Sequence, residues 1–193
     1  MKHTAALTAL AATAVLGLAA CGSGGGPQTA PSAGHSTGPS PAAVQPATGH
    51  TAQPGEPALI TVPGYDYANV PAGGLSAKEL IKSDPQHLKS GSAHIVLHEG
   101  NMIGALALIQ VKHRYAHLPG LSQAMTSSFV QEMTGSGATV MKQTIHTEPV
   151  TIAKKGSTVT YCWFHGDTVS VATGDNGQEI HNFAEAYLQA LHP

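Results

Sequence analysis

Residues 75–191 predict an α+β fold, an antiparallel sheet of about five to six strands with helices packed against it. Three observations carry that expectation. Strand-like runs follow one another through tight turns, as hairpins do. Several of those runs are apolar on both faces, so each face of the sheet needs cover. An amphipathic helix closes the chain.

Leu75-Ser76-Ala77-Lys78-Glu79-Leu80 opens the folded part. Ser76 and Glu79 form a capping box, and Leu75 and Leu80 a hydrophobic staple, predicting a short helix over 77–83 that Pro85 ends. Residues 60–71 ahead of it read as an extended or looped lead-in. Residues 92–99 and 102–112 read as two strands joined at Gly100-Asn101. Pairing outward from that turn sets His98 opposite Ile103, Val96 opposite Ala105 and His94 opposite Ala107. It turns Ile95, Leu97, Leu106 and Leu108 toward the core.

Leu121, Met125, Phe129 and Met133 recur at every fourth position. They predict a helix over 119–134, stopped by Gly135. Residues 140–147 alternate as a strand, which Pro149 breaks. Residues 150–153 and 157–165 form a hairpin around Lys155-Gly156, and Gly166-Asp167 turns the chain into 168–173. Val150, Ile152, Val159, Tyr161 and Trp163 fall on one face with the small Ser170 and Ala172; Cys162, Phe164, Val169 and Val171 fall on the other. Asn176 and Glu179 cap a final helix. Its Ile180, Phe183, Ala184, Tyr187, Leu188 and Leu191 trace one apolar stripe, expected on the Trp163 face.

The first 58 residues have a different character. Lys2 precedes an apolar run over 4–17, and Leu18-Ala19-Ala20-Cys21 closes it. The run is shorter and less apolar than the roughly 20 residues that cross a bilayer. Small residues before a cysteine follow the layout of an export signal, and the segment resembles a bacterial lipoprotein signal, a lipobox. The resemblance implies cleavage after Ala20, a diacylglyceryl thioether on Cys21, and attachment to the extracytoplasmic face of the cell membrane. Two acyl chains on one sulfur hold a protein firmly, where one holds it marginally. Residues 1–20 are thus expected to be a signal peptide. Residues 21–58, rich in Gly, Pro, Ser and Thr, read as a tether that cannot bury enough surface to order itself. Residues 59–193 are left as a single domain. Only 10% of the chain is charged, a style similar to exported actinobacterial proteins. The element order over 75–191 resembles PsbP-like domains of some actinobacterial lipoproteins, a likeness that implies fold and transfers no residue role.

Composition bears on the class of partner. Loss of Lys2 from nine basic residues leaves eight against eleven acidic ones, a net charge of −3 with no basic cluster. That argues against nucleic acid as partner. With Cys21 acylated, Cys162 has no thiol to pair with, so stability must come from the core.

Twelve histidines suggest a metal. On a strand, His94 and His98 stand about 13 Å apart, too far to share one zinc ion. His113 and His117, at a strand end and loop, can converge and are the candidate metal pair. Cys162 and His165 point to opposite faces of a strand and make no nucleophile–base pair. Tyr161 and Trp163 over small residues form a trough that would take a ligand if no helix fills it. The His94/Val96/His98 face beside Ala105 and Ala107 is a second candidate surface. The expectation is a non-catalytic domain without cofactor that binds an amphiphile, cell-wall or protein partner. The alternative is a histidine-based metal-binding envelope protein, and a hydrolase stands third.

Overall fold

A computed structural model of the protein describes residues 56–70, 81–82, 84–118 and 120–192. The signal, Cys21 and nearly all of the tether lie outside the described residues. So does most of the 77–83 helix, of which Ile81 and Lys82 are helical.

Seven strands build one sheet: β1 (Tyr65–Asn69), β2 (Leu88–His98), β3 (Asn101–Val111), β4 (Thr139–Ile145), β5 (Glu148–Lys155), β6 (Thr158–His165) and β7 (Thr168–Gly174). Among the described residues three helices accompany them: α1 (His113–Ala116), α2 (Leu121–Thr134) and α3 (Gly177–Leu191). The strand order is β1-β2-β3-β7-β6-β5-β4, and every pairing is antiparallel. After β3 the chain crosses one face through α1 and α2 to the far edge. Successive hairpins then bring it back until β7 pairs with β3, and α3 covers the opposite face.

Seven strands replace the five to six expected. The additional one, β1, falls in the stretch taken for a lead-in. It is a five-residue edge strand between Pro63-Gly64 and Pro71 in which only Tyr67 and Ala68 are buried, too short for alternation to show. Pro149 does not break a strand either. The β4–β5 turn is His146-Thr147, both at positive φ, and Pro149 pairs with Thr144 inside β5. The β6 ladder starts one residue later, at Val150↔Trp163, so the missing N–H interrupts no bond on that side.

The β2–β3 register differs from expectation by two residues at the turn and by one beyond it. The turn is Glu99-Gly100, at φ 52° and 77°, and His98 faces Asn101. A bulge at Ile103 then sets Val96 opposite Gly104 and His94 opposite Leu106. Because side chains alternate, a one-residue slip exchanges the faces. His94 and Val96 therefore join the core under α3 with Leu106 and Leu108, while Ile95 turns away from it.

The α3 face is closed. Asn176 Oδ1 accepts the Gln178 and Glu179 N–H groups at 3.2 and 3.4 Å, which starts α3 as its sequence predicts. Ile180, Phe183, Ala184, Tyr187 and Leu188 are all buried. They pack on Val150, Ile152, Val159, Tyr161, Trp163 and Ala172 from the sheet. Rings interlock: Trp163–Tyr187 at 5.6 Å, Phe183–Tyr187 at 5.8 Å and Tyr67–Phe183 at 6.2 Å between centroids. Val62, Leu59 and Ile60 of the lead-in pack against the same cluster. Two glycines permit this closeness. A Cβ on Gly104 would strike the Thr173 carbonyl oxygen, and one on Gly174 the Ile103 carbonyl oxygen, with Ile180 directly above both.

The α2 face is thinner. Leu88, Ile109, Val111, Ala153, Cys162, Val169 and Val171 of the sheet meet Val130, with Met125 and Phe129 half-buried beside them. The buried line along α2 is Thr126, Val130 and Thr134, one residue on from the expected Leu121-Met125-Phe129-Met133 stripe. Both hydroxyls turn back onto carbonyls of their own helix, Thr126 onto Ser122 and Thr134 onto Val130, so their polar atoms stay satisfied on burial. The helix begins at Leu121 after Gly120, without a side-chain cap. It ends at Gly135 as expected.

Candidate functional site

The residues singled out in the sequence are largely in the core. Trp163 is fully buried and Tyr161 nearly so, and α3 fills the trough between them and Ser170 and Ala172. Only the Tyr161 hydroxyl reaches outward, 3.1 Å from His181 Nδ1; burial, then Glu185, raise its pKa. His94 is 2% exposed, its Nε2 3.0 Å from Ser92 Oγ and its ring edge-on to Tyr67. His98 stacks on Tyr65 with centroids 5.0 Å apart. The His94/Val96/His98 surface is therefore the inside of the α3 layer, with β1 paired beside β2 at the sheet edge, a consequence of the bulge at Ile103.

His113 and His117 do converge. They lie on and just after the single turn of α1, four residues apart on one side, with ring centroids 4.6 Å apart. Both are exposed, and among the described residues no third metal-binding group joins them. Cys162 and His165 separate as alternation requires. Cys162 lies in the α2-side core, where burial pushes its thiol up to about 12. A protonated, enclosed thiol is a packing group.

One cluster was not visible in the sequence. Glu148 at the start of β5, His165 at the end of β6 and His192 at the C-cap of α3 place one carboxylate oxygen and two ring nitrogens within 4.8 Å of one another. His165 Nδ1 lies 2.7 Å and His192 Nε2 3.3 Å from Glu148 Oε1. The two rings are perpendicular, centroids 5.3 Å apart. The β5–β6 register explains the first pair: two residues beyond Val150↔Trp163, Glu148 and His165 stand side by side on the α3 face. The C-cap of α3, one residue past its end, delivers the third. Spacings of 17 and 27 residues match no ligand motif. Only the sheet register together with the length of α3 could have revealed the set.

The second concave feature is an open cleft of about 320 Å³ between α2 and β4, lined by Val130, Thr134, Ala138, Val140, Lys142 and Thr151 among others. β4 is an edge strand exposed along nearly its whole length, with Val140 and Met141 half in solvent. Its polar lining is neutral apart from Lys142. The cleft thus offers an apolar wall, a few hydroxyls and one ammonium group.

No protein-family model, curated protein or solved structure matches this chain significantly.

Proposed function

We propose that this protein is a membrane-anchored extracytoplasmic lipoprotein whose folded domain binds a ligand or partner without catalysing a reaction. The observation that carries the anchor is Leu18-Ala19-Ala20-Cys21 closing the apolar run. Cys21 precedes the first described residue by 35 positions. A flexible chain of that length spans about 30–35 Å r.m.s., enough to hold the domain clear of the bilayer. No helix among the described residues is long and apolar enough to cross a membrane. Attachment through lipid requires none.

The α2–β4 cleft supports the binding role, because it is a concave surface left open among the described residues. Val130, Ala138 and Val140 suit an acyl or other apolar segment, and Lys142 suits an anionic end. An amphiphile of that kind fits both the lining and the membrane location. The buried, protonated Cys162 argues against thiol chemistry.

Cys21→Ala tests the anchor: the protein should move from the membrane fraction to the soluble exported fraction. Unchanged membrane partition would refute the lipoprotein reading. Val140→Asp tests the cleft. It should leave folding stability within about 0.5 kcal/mol, as exposed sites usually do, and abolish co-purification of an amphiphile detectable by native mass spectrometry.

A further inference from the structure

We propose that Glu148, His165 and His192 form a binding site for one divalent transition-metal ion of the zinc class. The inference is independent of the membrane anchor and of the α2–β4 cleft. It rests on residues other than the His113/His117 pair that the sequence suggests.

The donor set is two imidazole nitrogens and a carboxylate oxygen, which suits zinc with a fourth position left for water. Ligands about 2.0–2.1 Å from a tetrahedral ion stand roughly 3.4 Å from each other. The His192 Nε2–Glu148 Oε1 separation of 3.3 Å is already of that size. The His165 Nδ1–Glu148 Oε1 contact of 2.7 Å is a hydrogen bond, and the carboxylate must give by less than an ångström to admit the ion. Two of the donors come from adjacent strand ends, and the third from the C-cap that directly follows α3. Regular elements hold ligand geometry better than loops do.

Burial strengthens the case. The Glu148 side chain is 15% exposed, and the two histidine side chains 40% and 37%. The carboxylate is thus largely withdrawn from water, with both imidazoles turned onto the same oxygen. One histidine would satisfy that oxygen as a hydrogen-bond donor; a second, perpendicular ring beside it builds a three-donor concavity. A cation held there would join the C-terminus of α3 to the β5–β6 ladder and so tie the helix to the sheet.

Zinc titration by calorimetry, on the full-length chain extracted in detergent, tests the site. The expected result is one tight equivalent, weakened on the order of 100-fold or more by His192→Ala, His165→Ala or Glu148→Gln, since even outer-sphere changes cost 10–100-fold. His113→Ala/His117→Ala should leave that equivalent unchanged. His192→Ala is the safest variant, lying at the end of α3 and exposed; circular dichroism in chelator should show it folded with the melting temperature of the parent. A second readout is thermal: excess zinc should raise Tm in the parent, chelator should reverse the rise, and neither should move Tm in His192→Ala. Absence of a tight equivalent overturns the proposal. So does an equivalent that survives all three cluster variants, or one lost only with His113 and His117.

Discussion

The two faces of the sheet are covered by helices of nearly equal length, yet they are built differently. α3 has a side-chain cap and buries five residues, four of them aromatic or large aliphatic, in one continuous stripe. α2 has no side-chain cap and buries Val130 between two threonines. The α3 layer also recruits β1 and the 59–62 lead-in, so that Val62, Tyr67 and Val96 extend one cluster across the sheet. The α2 layer stops short of β4 and leaves the cleft beside Val140 and Lys142. Among the described residues one face is closed by a continuous apolar stripe, and the other leaves a cleft open. Under the proposed function, stability and binding would be separated across a single sheet.

Truncations should expose that asymmetry most clearly. Phe183→Ala removes a fully buried ring that touches Tyr65, Tyr67 and Tyr187. It should cost about 3–5 kcal/mol in chemical denaturation. Val130→Ala, the corresponding change under α2, removes two methyl groups beside an open cleft and should cost about 1–2 kcal/mol. Equal losses would break the comparison. Gly104→Ala comes between them: the new Cβ meets the Thr173 carbonyl and pushes Ile180 outward, an overpacking cost of about 1–3 kcal/mol. It should appear as a fall in midpoint with unchanged m-value.

The smallest effect is on pH dependence, and both faces contribute to it. Burial lifts the Cys162 thiol under α2 to about 12, from an ordinary 9.0. Burial likewise lifts the Tyr187 phenol under α3 to about 12, from 10.0, although a hydrogen bond with the Ile60 backbone pulls it partly down. Each group binds its proton more tightly folded than unfolded. Unfolding therefore releases protons at high pH, and stability falls as pH rises. The contribution is complete below about pH 9 and is lost progressively from there toward 12. Tyr187→Phe should flatten the upper part of that decline and Cys162→Ala the lower part, measured by denaturant midpoints between pH 8 and 11. A decline unaffected by either substitution would assign it elsewhere.

How much of this was legible depends on whether the signal was local. The α3 stripe, its Asn176 cap and the division of β6 and β7 residues between two faces all follow from spacing within one element, and they stand as read. The β2–β3 register failed for two reasons: Glu99 occupies a left-handed position that Asn or Gly usually takes, which moves the turn by one residue, and the bulge at Ile103 then exchanges the roles of Val96 and Ile95. Under α2, Met125 and Phe129 pack on the core as read, but the buried Thr126 and Thr134 beside them went unread because their hydroxyls bond their own helix. β1 escaped because its pairing with β2, rather than its composition, makes it a strand. The Tyr161/Trp163 trough was drawn correctly as a surface of the sheet, and α3 occupies it. Glu148, His165 and His192 stayed hidden for the opposite reason: each is unremarkable locally, and only tertiary packing assembles them.

Native-state hydrogen exchange of backbone amides tests the unequal closure of the two faces most directly. Amides of α3, β3, β6 and β7 should exchange only through global unfolding. Those of α2 should exchange at least about tenfold faster, by local opening at lower free energy. Protection of α2 equal to that of α3, or greater, would contradict the account.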